Sequence, residues 1–228
     1  VTTSRRWPDR WSAGQALALR LLDWQGRGAD ATLVALPRGG VPVAAAIAER
    51  LHLPLVTWAV RKLAHPWAPE VAIGAVAPGG VVLWAHDRLD SQHRADPSLR
   101  EELAREQRLE LERRRRRFGD PSPETLKGRH LIVVDDGIAT GMTTRAALRS
   151  LSLTAPASLT LAVPVAEHSL LPALARLVER LEVLRAVLQL RSVGEWYERF
   201  DQISDEAVLR LLDEARRRAV LPGTGDRG

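Results

Sequence analysis

The sequence predicts an α/β fold, a doubly wound and mostly parallel sheet flanked by helices. Three observations lead there. Short apolar runs such as Thr32–Leu36 and Leu55–Val60 alternate with helix-patterned stretches along the 228 residues. The run Leu131–Val134 is continuously apolar, as a central strand covered on both faces must be. It ends in two acids, Asp135 and Asp136, and a small-residue turn that enters a helix, which is how open α/β sheets hold ligands beyond their strand ends.

The elements follow in order. Ser12 with Gln15 three residues later reads as a capping box, and Leu17, Ala18, Leu21 and Leu22 form an apolar stripe, predicting a helix over Ser12–Trp24. After the break at Gly26–Gly28 come a strand at Thr32–Leu36, a tight turn Pro37-Arg38-Gly39-Gly40 and an alanine-rich helix over Val41–Leu51. A buried strand, Leu55–Val60, precedes a polar, proline-containing loop from Arg61 to Glu70. Val71–Val76 and Val81–Trp84 flank Pro78-Gly79-Gly80 as a hairpin. Pro97–Phe118 is a charged amphipathic helix with Leu99, Leu103 and Leu111 on one side. Its Arg113–Arg117 run reads as a solvated face balanced by the preceding glutamates. The strand Leu131–Val134 leads through the turn to a helix ending near Leu151. A strand at Ser158–Val163 and a helix near Leu170–Arg180 follow, while Val183–Leu190 is open between strand and helix extension. The last helix starts at Ser204 and turns Val208, Leu211, Leu212 and Ala215 inward.

Composition narrows the chemistry. Hydrophobic residues at 45% and charged residues at 27% describe an ordinary globular chain, of a length that one domain over 1–228 accommodates. No cysteine is present, which excludes disulfides, thiolate nucleophiles and cysteine-ligated zinc. None of the six histidines has metal-ligand spacing. No apolar run nears the roughly 20 residues needed to cross a bilayer. The N-terminus also lacks an apolar signal core, so a cytoplasmic protein without membrane partners is expected. The net charge of +5 invites a nucleic-acid reading, but only Lys62 and Lys127 among 33 basic residues are lysines. Such arginine bias follows genome composition as readily as polyanion binding, and nucleic acid is not the expected partner.

Val133–Thr144 concentrates the candidate chemistry. A buried strand delivers Asp135 and Asp136 to the sheet edge. The amides of a helix N-terminus, the hydroxyls of Thr140, Thr143 and Thr144, and the clearance of Gly141 then form a cup for a phosphate dianion. Paired carboxylates beside such a cup match a sugar phosphate, the acids accepting from ribose hydroxyls. No Walker lysine follows the glycine turn and no acidic nucleophile signature stands elsewhere, which argues against a kinase or phosphatase.

The run Ile132-Val133-Val134-Asp135-Asp136-Gly137-Ile138-Ala139-Thr140-Gly141-Met142-Thr143-Thr144 resembles the signature with which type I phosphoribosyltransferases bind 5-phosphoribosyl-1-pyrophosphate (PRPP). Leu36–Gly40 resembles that family's pyrophosphate loop, and Arg61-Lys62 its basic pyrophosphate-contacting pair. With Pro-Glu-Val-Ala-Ile-Gly-Ala-Val and Val193–Tyr197, the chain is most similar to a little-characterised bacterial subgroup, from about Trp11 to Leu212. The resemblance implies the type I phosphoribosyltransferase fold with a small hood formed by terminal segments and a helical insertion over 85–128. It implies transfer of the 5-phosphoribosyl group to a small nitrogenous acceptor with release of pyrophosphate, and it is compatible with a homodimer. Asp135, Asp136 and Lys62 would be catalytic. Arg38, Gly39, Arg61, Lys62, Asp135, Asp136, Ala139, Thr140, Gly141, Met142, Thr143 and Thr144 would bind PRPP. Mg2+ would arrive on PRPP with its waters, without direct protein ligands. His65, Trp67 and Glu70 fall in what resembles the family's mobile loop, although a plain surface loop explains them equally well. Trp196 and Tyr197 could stack on an acceptor base but read first as core. Ala139 stands where 6-oxopurine enzymes carry an aspartate, so the turn resembles adenine- or orotate-type sites instead. The same fold also serves PRPP-sensing regulators that bind nucleic acid without transferase activity, and this is the alternative reading.

Overall fold

The computed structural model describes residues 6–65, 67–85, 89 and 96–220, the side chains at 69, 70, 219 and 220 excepted. Its strands are β1 (Ala31–Ala35), β2 (Leu55–Thr57), β3 (Arg61–His65), β4 (Ala68–Ala77), β5 (Val81–Trp84), β6 (His130–Val134), β7 (Ser158–Glu167) and β8 (Arg180–Val187). Its α-helices are α1 (Arg10–Ala18), α2 (Gly40–Leu51), α3 (Pro97–Phe118), α4 (Pro123–Leu126), α5 (Met142–Ser152), α6 (Leu171–Ala175) and α7 (Asp205–Val220). Five strands form a parallel sheet in the order β2-β1-β6-β7-β8. Strands β3, β4 and β5 form a separate antiparallel sheet.

Alternation along the central strands explains why they are apolar throughout. Leu33, Ala35, Ile132 and Val134 face one way, onto Leu17 of α1, Val43 and Ile47 of α2, and Val208 and Leu212 of α7. Val34, Leu131 and Val133 face the other way, onto Ala147, Leu148 and Leu151 of α5 and Leu174 of α6. Both faces are covered, as a doubly wound sheet requires. The antiparallel sheet is likewise packed on two sides. Leu63, Ile73 and Val76 meet Ala104 and Leu111 of α3, while Ala75 and Ala77 meet Met142 and Ala146 of α5. No helix among the described residues is long and apolar enough to cross a membrane.

Several local expectations are corrected. The first helix begins at Arg10 and ends at Ala18, with only a 3-10 turn at Leu22–Trp24. Asp9 is its cap, accepting from Ser12 N and Oγ at 2.8 Å each, so Ser12 is a donor in the first turn. Gln15 closes no capping box; its amide donates to Ala46 O at 3.2 Å. Arg61–Glu70 is not a loop: β3 pairs with β4 from Arg61↔Val76 to His65↔Ala68, and only the bend around Trp67 is left between them. A single large apolar residue, Leu63, is too little for alternation to register in the sequence; pairing with β4 imposes the extended form. The helix expected near Leu170–Arg180 is one short segment, α6, opened by Pro172, and Arg180 already begins β8. The undecided segment Val183–Leu190 therefore supplies an edge strand to Val187, with residues exposed to intermediate degrees along its length. The long helix α3 is present as expected, capped by Asp96 accepting from Ser98 N and closed by Gly119 at φ 69°. Of the 85–128 insertion, residues 86–88 and 90–95 lie outside the described residues.

Candidate functional site

Strand β6 ends beside the turn before α2. Leu36 N donates to Val134 O at 2.9 Å. A Cβ on Gly40 would sit 2.5 Å from Val134 O, and one on Gly39 would sit 2.1 Å from Asp136 Oδ2. Glycine is required at both positions by this close approach, since the backbone of Gly39 is ordinary right-handed helix. The Pro37–Arg38 peptide is cis. Two motifs remote in sequence are thus in van der Waals contact at one sheet edge, and the carboxylate of Asp136 lies over the turn.

The two acids share a buried position. Asp135 Oδ1 accepts from Asp136 N at 2.9 Å. Burial, and then the neighbouring Asp136, push the Asp135 carboxyl well above the usual range. Burial also raises Asp136, against the pull of Arg10, whose Nε donates to Asp136 Oδ2 at 2.8 Å. Arg10 is itself held: its guanidinium lies 3.7 Å from the Phe200 ring centroid and Nη1 donates to Asp201 O at 3.0 Å. The Tyr197 hydroxyl donates to Asp136 O at 2.6 Å, and burial raises the phenol pKa. Backbone and side chain of Asp136 are therefore both fixed from outside β6.

Beyond the acids the chain is pinned to β7, Ile138 N donating to Val165 O at 2.9 Å and Glu167 N to Ile138 O at 3.1 Å. A Cβ on Gly137 would meet Val193 Cγ1 at 2.7 Å, so the segment carrying Trp196 and Tyr197 lies against the turn. Gly141, at φ 69°, caps α5 in the left-handed region that favours glycine. The first amides of this 11-residue helix have no partner within it, and no side chain caps them. Thr140 is exposed and Thr143 half-buried, whereas Thr144 is buried and Met142 packs into the core. Ala139 packs with Val187, Val193 and Trp196.

The basic candidates are distributed differently. Arg38 Nη1 lies 3.5 Å from Asp205 Oδ1 at the start of α7. Arg61 donates through Nε and Nη2 to Gln107 Oε1 of α3 at 3.3 and 3.0 Å. Neighbours on a strand point to opposite faces. Arg61 thus shares the α3 face with Leu63, and exposed Lys62 shares the α5 face with its partner Ala75. His65 and Trp67 lie at the β3–β4 bend, with Trp67 exposed; the Glu70 side chain lies outside the described residues. Trp196 and Tyr197 are core residues, 8% and 3% exposed. Arg10 and Gln107 are marked by no motif in the sequence, and Tyr197, which reads there as core, reveals the role of its hydroxyl only in the fold. Asp135 and Asp136 offer oxygen donors of the kind magnesium takes.

Comparison with known proteins gives a consistent result. A family model described as phosphoribosyl transferase domain matches residues 7–182. Proteins of two Mycobacterium tuberculosis strains that bear a phosphoribosyl transferase name are 37% identical over 212 residues, 92% of this chain and 47% of theirs. The chain thus spans about half the length of these curated relatives. A crystal structure from Thermus thermophilus superposes with a TM-score of 0.70 at 35% identity, covering 92% of this chain and 98% of the other.

Proposed function

The chain belongs to the phosphoribosyl transferase domain family, and on that premise we propose that it binds PRPP with Mg2+ and transfers the 5-phosphoribosyl group to a small nitrogenous acceptor, releasing pyrophosphate. The observation that carries this reading is the contact between the Pro37–Gly40 turn and the Asp135–Asp136 pair, with the N-terminus of α5 following on the same chain segment. Ribose hydroxyls donate to the acids, most directly to Asp136, which Arg10 orients through its 2.8 Å bond. Residues Ala139 to Thr144 hold the 5′-phosphate, chiefly through backbone amides, because Thr144 and Met142 are turned into the core. Arg38 and Gly39 take the pyrophosphate end together with Arg61 and Lys62, which reach it from opposite faces of β3.

The acceptor nitrogen attacks the anomeric carbon as the bond to pyrophosphate breaks, and the bonding pair leaves with pyrophosphate. The ribosyl centre gains oxocarbenium character in between, so the residues act by positioning and by charge, and no protein nucleophile is needed. Magnesium carried in on PRPP would neutralise charge on the leaving group, with Asp135 and Asp136 the nearest protein oxygen donors of the kind it takes. Ala139 has no proton to exchange with an acceptor, which favours acceptors other than 6-oxopurines.

Calorimetric titration with PRPP and Mg2+, followed by a screen of nitrogenous acceptors for pyrophosphate release, tests the reading. PRPP binding with acceptor-dependent release is expected. Binding without release from any acceptor would favour a PRPP-sensing role, and no PRPP binding would remove both.

A further inference from the structure

The long helix α3 and its arginines have no part in the chemistry above, yet they are tied to both basic arms expected at the pyrophosphate end. Resting on the PRPP reading, we propose that α3 forms a wall of the pyrophosphate subsite, with Arg114 contacting the diphosphate and Gln107 positioning Arg61 for it.

Gln107, Glu110 and Arg114 are spaced to share one helix face. Gln107 grips the Arg61 guanidinium with a neutral oxygen, which fixes the group and leaves its charge available. One turn on, Glu110 serves two guanidiniums at once. Arg113 binds both its oxygens at 2.8 and 2.9 Å, and Arg114 approaches at 3.3 Å. Hydrogen bonding by Arg113 draws Glu110 down to about 2, so it is fully committed as an anion. At the helix end, Arg117 Nε donates to Asp205 Oδ2 at 2.7 Å, and the other oxygen of Asp205 faces Arg38. The helix therefore anchors Arg61 through Gln107 and Arg38 through Asp205.

Five guanidiniums in this network face three carboxylates, those of Glu110, Asp205 and Glu206. Burial opposes the charge of Arg61, Arg114, Arg113 and Arg38 oppose it further, and Glu110 supports it. A cluster of like charges with too few carboxylates is relieved by a multiply charged anion. Arg114, with a side chain only 21% exposed, lies on the helix between the two tethers. The tethers at Gln107 and Arg117 are ten residues, about 15 Å, apart along the helix, and Arg114 stands three residues, about 5 Å, before the second.

The test is calorimetric titration of the wild type, Arg114→Gln, Gln107→Glu and the outward Arg116→Gln with three ligands: PRPP with Mg2+, inorganic pyrophosphate with Mg2+, and ribose 5-phosphate. Arg114→Gln and Gln107→Glu should each weaken PRPP and pyrophosphate about tenfold, the loss of one charge-assisted hydrogen bond. Ribose 5-phosphate binding should be unchanged, and Arg116→Gln should match the wild type throughout. Gln107→Glu gives Arg61 a better partner, so its thermal midpoint should not fall; lost affinity with kept stability separates charge from structure. Wild-type pyrophosphate affinity in both variants overturns the inference while leaving the PRPP reading intact, and so does an equal loss for ribose 5-phosphate. A wild type that binds none of the three ligands removes both.

Discussion

Arg10 of α1 and Asp136 at the end of β6, 126 positions apart, form a 2.8 Å ion pair in which the two side chains are only 10% and 13% exposed. The pair joins the N-terminal helix to the acid that the sugar would contact. The stacking of Arg10 on Phe200 and its bond to Asp201 O bring a third remote segment to the same point.

Arg10→Met leaves a buried carboxylate without its partner. Removing one member of a buried pair costs about 3 kcal/mol, and urea denaturation of the variant should show a loss of that order. The double variant Arg10→Met with Asp136→Asn removes both charges and should recover most of the stability. A single variant as stable as the wild type would show that the pair is not buried in solution.

Asp135→Asn should do the reverse at neutral pH. The folded Asp135 carboxyl titrates above its unfolded value, so between the two the folded state binds more protons and stability falls as pH rises. An amide removes that loss while its oxygen can still accept from Asp136 N. The variant should gain on the order of 1 kcal/mol, about 3 °C in melting temperature, at pH 7 to 8. The gain should shrink on acidification and vanish below about pH 3, under the ordinary aspartate pKa of about 3.9, and PRPP affinity should fall at every pH. A gain that grows on acidification would contradict the sign of the shift.

Gly39→Ala places a methyl group inside the space held by Asp136. The carboxylate must move, and PRPP affinity should drop by tenfold or more, on the order of one lost charged hydrogen bond. Gly80→Ala meets no atom within 4 Å, so its cost is limited to the strained φ of 77°, about 1 kcal/mol, with unchanged PRPP binding. Equal ligand affinities in the two variants would refute the close-packed arrangement of the Gly39 turn.

Ser150→Ala tests the packing of the antiparallel sheet on α5. Trp58 Nε1 donates to Ser150 Oγ at 3.0 Å, and that hydroxyl donates to Pro78 O at 2.7 Å. Alanine orphans a buried donor and a buried acceptor together, at about 2 kcal/mol, measurable by denaturation. Ligand binding should persist, because the contact lies at the far end of α5 from the cup.

The sequence by itself determined the parallel sheet, because Leu131–Val134 is apolar on both faces and only a strand covered twice needs that. It determined the acid pair at the end of β6 and the glycine-capped start of α5 too, since Asp135 to Thr144 are contiguous and their structure is local. Tertiary structure alone decided that Arg10 and Tyr197 fix Asp136, that Arg61 and Lys62 face opposite sides of β3, and that Gln107 holds Arg61. Each of those depends on segments far apart in the chain, and a long-range pairing leaves no periodicity or motif on either partner. The extended form of Arg61–His65 was hidden for the same reason: β4 supplies the hydrogen bonds that its own residues do not announce.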